Sequence, residues 1–282
     1  MKNKILFSLS LLSLALLHAC GGGSGGGGGS GVPMGVVPPS APSPMAEAAA
    51  PAPAAADSGS VSAPFARAER ARYLLLGVGA QSFGVLSQSE QAASGAMTRL
   101  NDNTLTGSSS TKEINGDANF AIGRWTAGTV TRSSGAETLT GADNRAYHYL
   151  ALNELKSLPA SATTTCDAGV FTSPTYMGGG SGTAVNSGAA SGSSTLAFGS
   201  EGASVAGTVK VAVGDAVGVV NFDTKVKSPS STSVTGSFLS AGAGAGITLG
   251  DHGGGAYAIA VGYSATLPSG ARYMGVAKFR CA

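Results

Sequence analysis

From residue 220 to residue 227 apolar and polar positions alternate without a break, with Val220, Phe222, Thr224 and Val226 set against Asn221, Asp223, Lys225 and Lys227. A period of two is that of a strand with one buried and one wet face. Tyr257, Ile259, Val261 and Tyr263 alternate in the same way with Ala258, Ala260, Gly262 and Ser264. Near the end of the sequence Tyr273, Gly275, Ala277 and Phe279 stand opposite Arg272, Met274, Lys278 and Arg280. Residues 164–170, 195–200, 205–213, 234–240 and 244–249 are further strand candidates, which brings the number of short segments to eight. Gly214 with Asp215, Pro229 with Ser230, Asp251 with His252, and residues 268–270 supply turn chemistry between them. Short strands at this spacing, with no helical period among them, predict an antiparallel sandwich or barrel. Eight is the number at which a barrel is filled by its own side chains. The expected fold is all-β, with an eight-stranded antiparallel barrel over residues 159–282.

The preceding stretch, residues 65–158, reads as a smaller, mostly β region. Residues 66–76 hold good helix formers interspersed with Arg67, Glu69, Arg70 and Arg72, which suits a short helix or a last piece of linker. In residues 115–132, Phe120, Ile122, Trp125 and Val130 lie among glycines and threonines, predicting two strands joined by a turn at Ala127 and Gly128. Tyr147, Tyr149 and Ala151 alternate with His148, Leu150 and Leu152 in another strand. Trp125, the single tryptophan, is expected to anchor a core.

Nothing before residue 65 has a foldable pattern. Residues 1–19 have the form of a secretory signal, with Lys2 and Lys4, an apolar run through Leu17, and the small Ala19 before the cut. That run is too short for a permanent membrane span. Leu17, His18, Ala19 and Cys20 resemble the cleavage box of bacterial lipoproteins, with His18 in place of the usual small residue, and the resemblance implies Cys20 as the site of acylation and anchorage. Residues 20–64 then form a tether: a glycine run broken by Ser24 and Ser30, followed by a Pro, Ala and Ser stretch that favours extended polyproline II. Such a tether reaches up to roughly 100 Å.

Without Lys2 and Lys4 the chain has 15 Lys plus Arg against 15 Asp plus Glu, so its formal charge is zero. That balance argues against nucleic acid, which rewards a basic surface. With Cys20 acylated, Cys166 and Cys281 remain, and an oxidising compartment lets them pair. Catalytic patterns are missing: the chain has no nucleophile elbow, no phosphate-binding loop and no His or Cys pair at metal-ligand spacing. Asp251 and His252 with Ser264 make a poor triad, because neighbours in a Gly-rich turn are hard to hold rigid. Tyr147, His148 and Tyr149 include haem-ligand types, but alternation puts the histidine opposite the tyrosines. The expectation is a non-enzymatic protein with no cofactor and no metal.

A cysteine at Cys20 followed by glycines at residues 21–29, a Pro/Ala-rich arm and a Gly-rich barrel-like segment at residues 160–281 resembles the surface lipoproteins of Gram-negative pathogens. These are typified by transferrin-binding protein B, factor H binding protein and the heparin-binding antigen. The resemblance implies outer-membrane anchorage through lipid, surface exposure, and binding or adhesion to an extracellular or host protein or iron carrier. The alternative expectation is a periplasm-facing structural or assembly lipoprotein. Gly21 favours the surface, since the retention signal of this class is an aspartate beside the cysteine.

Overall fold

The computed structural model describes residues 56–180, 187–240 and 242–282. The expected signal at residues 1–19, Cys20 and the first part of the tether lie outside the described residues. The described residues group as one compact unit.

The strands of the first part are β1 (Gly59–Val61), β2 (Ala71–Gly77), β3 (Ala80–Val85), β4 (Ser89–Gln91), β5 (Met97–Leu100), β6 (Asn103–Asp117), β7 (Phe120–Arg132), β8 (Gly135–Thr140) and β9 (Tyr147–Asn153). Three short pieces follow: β10 (Ala162–Thr163), β11 (Val170–Phe171) and β12 (Thr175–Gly178). The last part holds β13 (Ala189–Gly199), β14 (Gly202–Val213), β15 (Ala216–Val226), β16 (Thr232–Gly236), a 3-10 turn at Phe238–Ser240, β17 (Gly244–Gly253), β18 (Ala256–Thr266) and β19 (Arg272–Cys281).

The all-β, antiparallel expectation holds, with β1 on β6 as a parallel pair. The strands lie in two sheets. A large one runs β11-β19-β18-β17-β9-β7-β6-β5-β4, with β2 on the other side of β9 and β3 beyond it, and a small one runs β10-β13-β14-β15. The described strands do not close into one ring, because β15 and β16 share no backbone ladder and meet through side chains such as Thr224 and Ser233.

Three apolar layers result. The small sheet places Leu196, Val205, Val209, Val220 and Phe222 against Ile247, Ile259, Val261, Tyr273 and Phe279 of β17–β19. The opposite face of β18 and β19, with Ala258, Ala260, Met274 and Val276, packs on Leu74, Leu76, Ile122, Leu150 and Leu152. Beyond that, Tyr73, Leu75, Met97, Trp125, Tyr147 and Tyr149 form a third core under β5 and β6. The middle layer requires close approach. A Cβ at Gly250 would stand 2.2 Å from Leu152 Cδ1 and 2.7 Å from the Asn153 carbonyl oxygen. The large sheet folds back on itself there, and Asp251 of β17 meets Asn153 of β9 at the corner.

Five expectations need correction. Ordered structure begins before Pro64, because β1 pairs with Ile114, Asn115 and Gly116 inside the expected tether. Residues 71–77 are a strand rather than a helix, since the Leu74–Leu76 run is buried between β3 and β9 and packing overrides helix propensity. Residues 120–132 form one strand, and Gly128, with φ of 109°, sits beside register shifts of the β6 pairing. Its glycine serves a bulge rather than a turn. Residues 164–170 are not a long first strand: residues 164–169 are irregular apart from the bridge at Cys166, and Val170 opens the two-residue β11. Residues 238–240 leave β16 as a 3-10 turn that inserts Phe238 into the middle layer.

Candidate functional site

Cys166 and Cys281 form a disulfide, with sulfurs 2.02 Å and Cα atoms 3.9 Å apart. The bond is embedded in an antiparallel bridge. Thr165 N donates to Ala282 O at 2.9 Å, Ala282 N donates back at 3.0 Å, and Asp167 N donates to Arg280 O at 2.8 Å. Asp167 Oδ1 accepts from Gly169 N and Arg280 N, fixing the turn beyond the bond. Because β10 pairs with β13 and Cys166 with β19, this short segment links the small sheet to the large one. Cys20, the expected lipid site, lies outside the described residues.

His148 is fully buried on β9. Its Nδ1 is 2.8 Å from Thr172 Oγ1 and its Nε2 is 2.8 Å from Thr175 Oγ1. Burial first, and then the Arg124 charge, pushes its pKa well below the ordinary 6.5. It is a neutral ring with both nitrogens engaged. Tyr147 and Tyr149 point into the third core on the other face, as alternation predicts. Burial, reinforced by the Glu137 carboxylate that accepts its hydroxyl proton, raises the Tyr147 phenol to about 12. This arrangement holds strands together and offers no open position to a haem iron.

Beside His148, buried Arg124 makes a two-pronged ion pair with Glu113, Nε to Oε2 at 3.1 Å and Nη2 to Oε1 at 2.8 Å. Its Nη1 donates to Asn144 Oδ1 at 2.7 Å. Glu113 Oε2 also accepts from Ser173 N, and Asn144 Nδ2 donates to Pro174 O at 2.9 Å. Glu113 has φ of 57° within the irregular stretch of β6, a left-handed conformation that is costly for a residue with a Cβ. Its carboxylate is thereby aimed at Arg124 and at the 172–175 loop.

Asp251, His252 and Ser264 do not assemble. Asp251 pairs with Tyr257, whereas Ser264 lies seven residues further along the same ladder, opposite Gly244, about 23 Å away at a strand's rise. His252 has other partners. Its Nε2 lies 3.2 Å from Lys278 Nζ and its Nδ1 3.7 Å from Asp117 Oδ2. Lys278 Nζ sits 4.3 Å from the centre of the Phe120 ring and 4.0 Å from Asp167 Oδ2, with 4% of its side chain exposed. Burial lowers the Lys278 pKa, against the raising influence of Asp167 and Asp117.

A cleft of about 510 Å³ opens between the β2–β3 turn, β12 and the 3-10 turn. Val78, Phe83, Met177 and Leu239 give it an apolar lining, and Gln81 and Arg272 stand among them. Leu239 at its rim is 62% exposed. Gln81 is held by donating from Nε2 to Phe238 O at 2.9 Å. A second cleft, about 260 Å³, lies at the corner of the large sheet and includes Arg70, Asn119, Glu154 and Asp251. No cluster of three or more His, Cys, Asp or Glu side chains among the described residues has the geometry to hold a metal.

Sequence reasoning found the cysteine pair and the opposed faces of β9, and it missed Arg124, Glu113 and the partners of Lys278. A usable signal was present. Arg124 sits inside Phe120–Ala127 and Lys278 inside Tyr273–Phe279, lone charges in otherwise apolar or small-residue runs. Buried charges are rarely left unpaired. No protein-family model matches the chain, and neither a curated protein nor a solved structure is found to be similar to it.

Proposed function

We propose that the chain is an exported lipoprotein, anchored in the outer membrane through Cys20 and displayed on the cell surface, where its β body binds an extracellular or host protein or an iron carrier without doing chemistry on it. The observation that carries this reading is the use of the cysteines. The sequence has three, and two of them close a bond within the folded body. Disulfides persist in oxidising compartments outside the cytoplasm. The third, Cys20, is left at the end of a signal-like segment, where a lipid anchor needs a free thiol. The tether and the neutral charge suit display away from the membrane. The apolar cleft beside Leu239 gives such a body a concave surface of the size small ligands and partner side chains occupy.

The finer reading of the last part as an eight-stranded barrel belongs to the same proposal. In its favour, β13–β19 supply seven strands, the segment from β10 to β11 bridges β13 to β19, and β15 stands beside β16.

Metabolic labelling with a palmitate analogue tests the anchor, with loss of label expected in Cys20→Ser; continued labelling overturns it. Protease added to intact cells tests display. Shaving of the body supports the surface, and full protection supports the periplasm-facing alternative. Binding is tested by passing serum proteins and haem carriers over the immobilised chain, where saturable capture of one carrier is expected.

A further inference from the structure

The cleft beside Leu239 is the open end of the middle layer. Val78, Phe83 and Met177, which line it, are half-buried and pack on the cluster that contains Leu76, Phe238 and Met274. Its walls are fixed to one another. Gln81 donates to Phe238 O and so ties the β2–β3 hairpin to the 3-10 turn, while buried Ser264 donates from Oγ to Met177 Sδ at 3.8 Å. An apolar chain entering here would extend a core that is already built.

Charge narrows what such a chain carries at its end. Arg272 is the one charged side chain among the described residues that line the cleft. The segments that build this end of the molecule, residues 71–89, 170–180, 228–250 and 256–282, contain no Asp or Glu. A guanidinium in apolar surroundings, on segments without carboxylates, favours an anion that it can grip with two parallel hydrogen bonds. A Cβ at Gly179 would stand 3.4 Å from Arg272 Nε and one at Gly178 3.8 Å from Nη2, so glycine keeps that flank of the head group clear of both side chains.

We infer that the cleft binds a free single-chain amphiphile with an anionic head, a long-chain alkyl carboxylate, with its tail on Val78, Phe83 and Met177 and its carboxylate on Arg272. The placing of the apolar surface argues for a small ligand over a protein. Of the large apolar side chains lining the cleft, only Leu239 at the rim is strongly exposed, and the others sit inside the concavity. A protein partner needs apolar area on the rim, where a flat surface can reach it. The inference rests on the cleft being a binding surface, as proposed above, and is independent of the lipid anchor and of display.

The test uses the full chain in phosphatidylcholine vesicles, free of detergent, which would compete for the cleft. Palmitate carrying a diazirine on its chain is photolysed with the protein, and the labelled peptides are mapped at equal membrane content. Saturable labelling is expected at Val78, Phe83, Met177 or Leu239. Unlabelled palmitate should displace it at about a tenth or less of the concentration that hexadecanol or hexadecyltrimethylammonium requires. Arg272→Gln keeps the apolar walls and should bring palmitate and hexadecanol within about threefold of each other. Leu239→Asp, a change at an exposed rim position, should weaken palmitate about fivefold and affect hexadecanol far less. Scattered labelling, equal displacement by the three head groups, or an unchanged carboxylate preference in Arg272→Gln overturns the inference. Displacement by vesicles containing phosphatidylglycerol as effective as that by free palmitate also overturns it, in favour of a membrane headgroup. Labelling and displacement in the wild-type chain decide the matter even if either variant fails to fold. A serum or haem carrier captured by a chain whose cleft takes no label would leave the proposed binding function standing and this inference overturned.

Discussion

Strands β15 and β19 carry the same two-residue period and live in different surroundings. On β15 the inward set, Val220, Phe222 and Val226, is buried and the outward set, Asn221, Asp223 and Lys225, is wet, with Val217 and Val219 still 47% and 46% exposed. On β19 the inward Tyr273, Ala277 and Phe279 are buried, and so are Met274, Val276 and Lys278 on the other face. Alternation therefore reports that a strand has two faces, and leaves open what covers each. The cover is read from residue size instead. Asn, Asp and Lys outward on β15 mean water, whereas Ala258, Ala260 and Gly262 on β18 make a low surface on which a second sheet can lie.

The largest effect should come from the bond that ties the two surroundings together. Cys166→Ser closes no cross-link over the 115-residue separation, and the chain-entropy model puts the loss at about 4 to 5 kcal/mol. Thermal melts of oxidised and reduced protein should differ by about 10 °C or more; equal melts would show that the bond constrains nothing. Next comes a matched pair of truncations. Leu152→Ala removes a middle-layer side chain with no exposure and is expected to cost about 3 kcal/mol, whereas Val219→Ala on the wet face should stay within about 0.5 kcal/mol. Similar denaturant midpoints for the two would erase the distinction drawn above.

Smaller, and specific to the covered region, is Glu113→Gln. It leaves the Arg124 guanidinium buried without a counter-charge, and since Glu113 itself is 27% exposed the penalty is discounted to about 2 kcal/mol in chemical denaturation. The smallest is a dependence on pH. Burial holds the His148 pKa well below 6.5, so as pH falls through that ordinary value the unfolded chain takes up a proton that the folded one refuses, and stability drops. His148→Gln should flatten the acid side of the stability curve; an unchanged curve would mean that the ring titrates normally in place.

The legible parts of the molecule were those where one face meets water. The β14–β15 pairing and the β18–β19 pairing follow from alternation and intervening turn residues, and the cysteine pair followed from counting. The illegible parts have a common cause in the second layer. Leu74, Leu75 and Leu76 are buried on both faces and so show no period, which allowed a helix to be read there. Gly128 carries a turn signal spent on a bulge. Arg124, Glu113 and Asn144 converge only because β6, β7 and two distant loops are stacked, a relation that no local window contains.

The β2–β9 ladder joins Ala71 to Asn153 and Gly77 to Tyr147. A growing or refolding chain must bring β9 back across some seventy to eighty residues before β2 gains its second neighbour, and until then β2 and β3 are a lone hairpin with a leucine-rich flank open to solvent. Such a hairpin is only marginally stable. Closure at that range is entropically slow, so the chain belongs with the non-local β topologies that fold in milliseconds to seconds rather than microseconds. During that interval its exposed leucines are the segment a holding chaperone would grip first.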